Sequence, residues 1–496
     1  MIIRRLRRTL TAAVLALLLL GALPAPGAAA ASPKKPVQAM LTLEDLIILW
    51  SDGTVSSTGN EALQPGNAAD WTDIRALCGG ALPVLGLRSD GTLCGAVSEA
   101  FPEAAAWSDV EYAASTGTHL LALKKDGTVL CAGPGFFGTR ESYSFSDWKD
   151  VAQLIVGHTG SGEYAVGLLK DGSIRDEFLP KYWTAEPKHT AAVSCSGYLL
   201  LCLQEDGTVA ASGQDAEALG GQIAAWRDVT QVLAGDSLAL GLRRDGTVLA
   251  ASTWNEELVE ALSAWRDMRS LYLSPDGVVF GVHKDGSVSV ELKEELRFSP
   301  WAVECWTDVD KLLCADESRV AAVSKSGELL SAGTFVPGAA APSSPREVTD
   351  SQGRYVESVM QTYGTVNRAD GPALRWDGQG RVTQMVYGSE AGSRGVFTWR
   401  YDAKGRLTAY RMEAREPLPS GAEHVIEHSI ALRYASDGGV TAEVTRRVSS
   451  GGGALHRWVC SFDAEGELVR FESSDQDGGA NFGSGSVTLE NVLHDW

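Results

Sequence analysis

The stretch 121–133 reads LALKKDGTVLCAG, and two other stretches repeat its pattern: 202–213 (CLQEDGTVAASG) and 241–252 (GLRRDGTVLAAS). Each has an apolar run, two variable residues, a turn centred on Asp-Gly, and a second apolar run. Eight copies lie between Leu46 and Leu329, at spacings of 35–45 residues. Repeats of this period are typical of propellers and solenoids. The turn glycines are Gly53, Gly91, Gly127, Gly172, Gly207, Gly246, Gly286 and Gly327.

Asp-Gly between two apolar runs predicts a tight hairpin, and we expect a type I′ turn in which both residues have positive φ. Seven copies have the Asp, whereas the eighth has Ser326 before the glycine and Glu328 after it. Five residues before the glycine, seven copies have a small residue and the first has Ile48. Small residues suit strands that converge on a common axis, which favours a propeller over a solenoid.

A second motif, Trp-x-Asp followed by Ile, Val or Met, precedes most of the hairpins. We expect each Trp to pack between neighbouring repeats and each Asp to satisfy backbone donors where a strand begins. The alternative, a row of Trp rings that stack on sugars or bases, is less favoured because nearly every repeat needs the residue. A degenerate copy lies around Trp183. The six clear copies begin at Trp71, Trp107, Trp148, Trp226, Trp265 and Trp306.

These motifs resemble the shortened bacterial form of the regulator-of-chromosome-condensation repeat, over residues 37–334. The resemblance implies an all-β fold: a closed seven- or eight-bladed β-propeller of three- or four-stranded antiparallel blades. Eight hairpins but only seven Trp-led strands leave both blade numbers open. Secreted bacterial propellers of this repeat length also resemble propeller-type β-lactamase inhibitor proteins, which would make the partner a protein.

A different pattern follows a Pro/Ala/Ser/Gly-rich segment, residues 335–353, which reads as a linker. Aromatic-Asp pairs followed by glycine recur at Trp376, Tyr401 and Phe462. Residues 354–496 are therefore predicted to form a smaller antiparallel β-meander domain. Their pattern resembles the tyrosine-aspartate repeats of secreted bacterial shell and wall proteins.

The N-terminus predicts export. Four arginines, an apolar run from Ala12 to Leu23 and a Pro/Ala-rich stretch form the pattern of a secretory signal peptide over residues 1–31. The run is too short to span a bilayer, so we expect no membrane span in the mature chain and a secreted or envelope-associated location. Removing this segment, which contains no acidic residue, changes the net charge from −20 to −24. Such a charge opposes binding to nucleic acid.

Eight cysteines in an exported chain raise the question of disulfides. Cys78, Cys195 and Cys314 occupy similar places in successive repeats, where a thiol serves as a small apolar side chain. Cys195 and Cys202 could pair across neighbouring strands. The sequence leaves the connectivity open.

No catalytic constellation is evident, so we expect no enzymatic activity and no cofactor. His424 and His428 have a spacing that could share a metal on a helix, but they lie in a predicted strand or loop, so no metal site is expected. The repeated turn Asp provides one carboxylate per blade, which does not build a calcium site.

Binding is expected in the segments between repeats, because loops project from a rigid scaffold. The two intervals after Gly127 and Gly172 contain the aromatic residues that we select as the candidate partner-binding patch. The alternative is that these residues fold inward over a gap between blades. The leading prediction is a non-enzymatic binding module that grips an extracellular protein; the alternatives are a protein that binds carbohydrate or cell wall, and a propeller glycosidase. The patch consists of Phe136, Phe137, Tyr143, Tyr182 and Trp183.

Overall fold

The structure is a computed structural model. It describes residues 34–42, 46–57, 71–79, 84–95, 97–133, 145–159, 162–177, 187, 189–292, 296, 298, 300–333, 373–378, 381–388, 392–418, 422–437, 439–449, 455–462 and 468–473.

The chain is all-β, and the described residues of the repeat region form eight three-stranded antiparallel units, one for each turn motif. Strands follow chain order within each unit. Units 1 to 4 contain β1 (Pro36–Leu41), β2 (Leu46–Trp50), β3 (Val55–Ser57); β4 (Ile74–Gly79), β5 (Val84–Arg88), β6 (Leu93–Gly95); β7 (Val110–Ser115), β8 (Leu120–Lys124), β9 (Val129–Ala132); β10 (Val151–Thr159), β11 (Gly162–Leu169) and β12 (Ile174–Glu177). Units 5 to 8 contain β13 (Thr190–Cys195), β14 (Leu200–Gln204), β15 (Val209–Ser212); β16 (Val229–Gly235), β17 (Leu238–Arg243), β18 (Val248–Ser252); β19 (Met268–Leu273), β20 (Val279–His283), β21 (Val288–Glu291); β22 (Val309–Ala315), β23 (Arg319–Ser324) and β24 (Leu329–Gly333).

Short helices occupy connections between units, after the third strand of one and before the first strand of the next. They are the α-helices Val97–Ala100, Ala216–Ile223, Glu256–Ser263 and Pro300–Glu304 and the 3₁₀ helix Pro102–Ala106.

The units form a closed ring, so the repeat region is a β-propeller. The first strands of successive units contact one another around the axis, and β1 of unit 1 lies against β22 and β23 of unit 8. Side chains link these inner strands. The Gln231 amide, for example, donates to the Leu271 carbonyl oxygen at 2.8 Å and accepts from the Leu271 N–H at 3.0 Å. At the closing contact, Arg319 Nη2 donates to the Thr42 carbonyl oxygen at 2.6 Å.

The repeated turn is a type I turn followed by a left-handed glycine, so the type I′ prediction is wrong. Only the glycine has a positive φ, between 79° and 103° in the eight copies. In unit 2 the Gly91 N–H donates to the Arg88 carbonyl oxygen at 3.0 Å, and Asp90 Oδ1 accepts from both the N–H and the hydroxyl of Thr92. The Thr that follows the glycine thus holds the Asp in this conformation, which a three-residue hairpin loop requires.

Each turn also binds the next unit through the backbone. The first N–H of the next first strand donates to the turn-glycine carbonyl oxygen, as Val110 does to Gly91 at 3.1 Å, and seven such bonds of 2.9–3.3 Å join units 1 to 8. The motif Asp just before that strand has a left-handed backbone in five units, with φ of 58° at Asp109, whereas Asp308 before β22 does not. The sequence analysis expected the Asp side chain to satisfy the backbone donor where the strand begins. The donor instead bonds the carbonyl oxygen of the preceding turn glycine. In the degenerate copy His189 takes the same place, with φ of 53°.

The Trp row packs between units, as predicted. Trp226 lies in one buried cluster with Leu203 and Val209 of unit 5 and Val229 and Ala239 of unit 6. The small residue on the second strand leaves room for this ring, and it does not serve to relieve crowding at the axis. A Cβ at Gly281, for example, would lie 2.5 Å from the Trp265 ring. The second strand is not the innermost strand, which is why the axis explanation is wrong.

The sheet of the last unit continues beyond the propeller as one 11-stranded sheet. β25 pairs antiparallel with β24, and seven further strands extend this sheet in chain order, so the predicted antiparallel meander is confirmed. Residues 334–372, which include the predicted linker, lie outside the described residues. The added strands are β25 (Ala373–Trp376), β26 (Val382–Gly388), β27 (Arg394–Tyr401), β28 (Leu407–Pro417), β29 (Glu423–Tyr434), β30 (Val440–Val448), β31 (Leu455–Phe462) and β32 (Leu468–Ser473).

All eight cysteines are free thiols. The pairing suggested for Cys195 and Cys202 does not form because the register places Cys195 opposite Leu200 and Cys202 opposite Val193. The two residues are therefore diagonal neighbours, a position too far apart for a disulfide without backbone movement.

The turn glycines can be tested with a matched pair. Gly127 and Gly117 both have positive φ, but a Cβ at Gly127 would lie 3.0 Å from the Asp150 Cα, whereas a Cβ at Gly117 would meet nothing within 4 Å. We expect Gly117→Ala to lower the free energy of unfolding by about 1 kcal/mol, from backbone strain alone. Gly127→Ala should cost about 1–2 kcal/mol more, because it also separates units 3 and 4. Urea unfolding of both variants measures the difference; equal losses would show that the turn does not bind the next unit.

Candidate functional site

The aromatic residues selected from the sequence, Phe136, Phe137, Tyr143, Tyr182 and Trp183, lie outside the described residues. The described strands that lead into their two segments are β9 and β12. Both run away from the Asp-Gly turns of neighbouring units, so they end on the same side of the ring. The proposed patch stays a prediction, and its two segments start from one face.

That face, which we name the hairpin face, is defined by the hairpins that join the first and second strands of each unit. The described residues of these hairpins are 42, 116–119, 196–199, 236–237, 274–278 and 316–318. They include four acidic residues, Asp236, Asp276, Asp316 and Glu317, and no Lys or Arg. The other face, with the Asp-Gly turns, mixes both signs, since Lys or Arg precedes the turn in most units. The described hairpins therefore carry an excess of negative charge, which Arg319 at the start of β23 offsets at Asp316 through an ion pair of 2.8 Å.

Among the described residues, one exposed Trp lies on this face. Trp254 is 58% exposed, whereas the Trp residues of the repeated motif are buried or half-buried where the structure describes them. It follows β18 of unit 6, and Asn255 next to it caps the helix Glu256–Ser263 by accepting from the Leu258 N–H at 2.8 Å. Packing of the repeats does not require Trp254. An exposed Trp that the fold does not need is typical of a binding surface.

Hydrogen bonds link the backbone next to Trp254 to the hairpin of unit 6 and, through it, to Asp215. The Thr253 N–H donates to the Ser237 carbonyl oxygen at 3.1 Å, and the Ser237 N–H donates to Asp215 Oδ2 at 3.0 Å. Asp236, in the same hairpin as Ser237, is exposed. The backbone that carries Trp254 is thus hydrogen-bonded, through Ser237, to the connection between units 5 and 6. Sequence reasoning missed this residue, although a signal was present: Trp254 is a Trp outside the repeated Trp-x-Asp motif.

A buried polar cluster lies between units 3 and 4 at the same face. His119 Nδ1 lies 2.9 Å from Glu163 Oε2, and the hydroxyls of Thr116 and Thr118 both donate to Glu163 Oε1 in short hydrogen bonds. His119 and Glu163 are buried. The cluster ties the hairpin of unit 3 to the second strand of unit 4, which is a structural role.

The same cluster does not have the properties of a nucleophilic site. Burial, with Glu163 nearby, raises the pKa of the Cys131 thiol to about 12. A nucleophilic cysteine needs the opposite shift, toward the thiolate at neutral pH. Cys131 is therefore a thiol in the folded protein.

His424 and His428 do not share a metal site. Both lie on β29, where residues four apart are on one face but about 13 Å from each other. Within the residues that the structure describes, no group of three His, Cys, Asp or Glu side chains could hold a metal ion. His428 is buried beside the Tyr410 ring, and burial with the nearby Arg446 lowers its pKa to about 4.

Comparisons with known proteins give only distant structural matches. No protein-family profile and no curated protein sequence matches this chain. Among solved structures, the WD40 ectodomain of the Arabidopsis thaliana receptor kinase ACR4 is 13% identical, covering 54% of this chain and 98% of that chain, with a TM-score of 0.34. Prp20p from Saccharomyces cerevisiae, the yeast RCC1, is 14% identical, covering 60% and 71%, with a TM-score of 0.25.

A third match comes from a bacterial surface protein. PorZ, a component of the type-IX secretion system of Porphyromonas gingivalis, is 11% identical, covering 88% of this chain and 67% of that chain, with a TM-score of 0.27. Separately, no helix among the described residues is long and apolar enough to cross a membrane.

The buried His428 makes the protein sensitive to acid. Its pKa is about 4 in the fold against 6.5 in the unfolded chain, so the unfolded chain binds more protons between these values. The free energy of unfolding should therefore fall as the pH drops from 6.5 to 4, by up to about 3 kcal/mol. His428→Leu should remove this loss, and His424→Gln, which leaves His428 in place, should retain it. Urea unfolding at pH 7 and pH 4.5 measures both; the same acid loss in His428→Leu would contradict the assignment.

Proposed function

We propose that this chain is a non-enzymatic binding protein of the cell exterior and that its hairpin face binds a protein partner with a cationic surface. The observation that carries the proposal is the exposed Trp254 on a face whose described hairpin residues include four acids and no Lys or Arg. A Trp ring provides a large apolar contact and also attracts Lys and Arg side chains through its π face.

The charge distribution supports a cationic partner. Residues 36–333 contain 21 basic and 42 acidic residues, a net charge of −21, whereas residues 373–473 contain 13 of each. The propeller thus carries the negative charge of the chain. A surface of one sign speeds encounter with a partner of the opposite sign and rejects partners of like sign.

The closed ring supports a scaffold role. Bonds between successive units hold the hairpins in fixed relative positions, so a partner would meet a preformed surface and little ordering would be needed on binding. The location outside the cell follows from the predicted signal peptide of residues 1–31. The resemblance of the C-terminal strands to tyrosine-aspartate repeats favours the same location.

Carbohydrate binding is the second candidate, because an exposed Trp also stacks on sugar rings. The two candidates differ in their salt dependence. Binding of a cationic protein weakens as salt is added, whereas stacking on a neutral sugar does not.

Trp254 provides the test. The full chain would be screened against a displayed peptide library and a glycan array, and the best binder of each kind would be titrated. We expect the peptides to be rich in Lys and Arg, their affinity to fall at high salt, and Trp254→Ala to weaken binding about 30-fold, as loss of a hot-spot residue does. Trp254→Phe should restore part of the affinity.

Two further variants locate the site. Phe136→Ser with Phe137→Ser tests the patch selected from the sequence, and Lys284→Ala on the turn face is the control that should leave binding unchanged. Unchanged binding in Trp254→Ala would reject the hairpin-face site at unit 6. Salt-independent binding of neutral glycans, lost in Trp254→Ala, would replace the protein partner by a carbohydrate.

A further inference from the structure

The contact that closes the ring, between unit 8 and unit 1, lacks three features, two of which are found at every other contact and the third at six of the seven. Pro36 takes the place of the residue whose N–H bonds the preceding turn glycine, and proline has no N–H. Pro33 stands where six of the other seven units have the motif Trp; unit 5, the degenerate copy, has Pro187 there. Ile48 stands where the other units have a small residue beneath that Trp, and Ile48 is fully buried.

The C-terminal sheet supplies aromatic side chains at this contact. Trp376, Phe397 and Trp399 form one buried cluster with side chains of both end units. Unit 1 contributes Ala39, Leu46, Ile48 and Trp50, and unit 8 contributes Cys314, Ala321 and Leu329. Trp376 also donates from Nε1 to Ser331 Oγ at 3.2 Å. A Trp from β25 thus occupies the contact to which unit 1 brings no motif Trp.

Unit 8 has a modified turn that holds this sheet. Arg375 Nη1 donates to Asp308 Oδ2 at 3.0 Å and to Glu328 Oε2 at 3.1 Å, and its Nη2 donates to Asp308 Oδ1 at 2.5 Å. Glu328 and Ser326 are the two residues by which this turn departs from Asp-Gly-Thr, and Ser326 donates to Glu328 Oε2 at 3.0 Å. The departure from the repeat therefore creates an ion-pair site for β25.

We propose that the C-terminal sheet is a clasp that closes the propeller: β25 extends unit 8, and Trp376 and its neighbours fill the contact with unit 1 that the repeats leave incomplete. The clasp is independent of the proposed binding function. Closure of the ring then depends on the whole chain, because residues 36–333 alone lack Trp376, Phe397 and Trp399 of the closing cluster.

The test compares two Trp residues of the same sheet that are equally buried, each 4% exposed. Trp376 belongs to the closing cluster, whereas Trp458 on β31 is not among its residues. Hydrogen exchange of the full chain would be followed strand by strand. We expect Trp376→Ala to increase exchange at least 10-fold in β1, β2, β22 and β23, and to leave β10 to β18 protected. Trp458→Ala should increase exchange only in β30 to β32.

Arg375→Met provides a second route, since it removes the ion pairs and retains the apolar stem. It should increase exchange in β1 by a smaller factor, so the proposal stays testable if Trp376→Ala does not fold. Full protection of β1 in Trp376→Ala or Arg375→Met would overturn the clasp. An equal increase of hydrogen exchange in β1 for Trp458→Ala would also overturn it. The C-terminal sheet would then stabilise the ring without a specific contact at Trp376.

Discussion

The whole ring depends on one backbone hydrogen bond repeated from unit to unit, from the first N–H of a strand to the carbonyl oxygen of the preceding turn glycine. This bond uses a glycine whose Cα can lie against the backbone of the next unit, and at six of the seven contacts the residue just before the strand is left-handed. A Trp three residues before the strand then fills the space between the two sheets. Three short motifs thus fix the placement of each unit on the one before it.

Such a rule places each unit relative to its predecessor but does not close the ring. Unit 1 has no predecessor in the chain, and its sequence shows this: Pro36 has no N–H to donate, and Ile48 fills the slot that elsewhere accommodates a Trp. The strands that follow unit 8 bring Trp376 to this contact. The two exceptions noticed in the sequence, Ile48 in the first copy and Glu328 in the last, belong to this one contact.

The repeats predicted the fold class and the Trp packing because both depend on patterns local to one or two units. The turn type was wrong because Thr92 and its equivalents hold the Asp carboxylate, a contact that Asp-Gly statistics do not include. The prediction for the small residues was wrong because the size of a residue in the sequence does not show which side chain packs against it, here the motif Trp. The charge of the hairpin face emerged only when the topology placed the described hairpins, far apart in the sequence, on one side of the ring. Trp254 stood outside the repeat and could have been singled out from the sequence.

The most direct measurement of the central claim is the proximity of the two ends of the repeat region. The Lys35 side chain lies against Gly327, two residues from Lys325, although the two lysines are separated by the entire ring in sequence. A short lysine-reactive cross-linker should join Lys35 to Lys325 within the monomer, as identified by mass spectrometry of the monomeric fraction. A chain whose units stack as an open rod would give links between neighbouring units and none between Lys35 and Lys325, and that result would contradict the account.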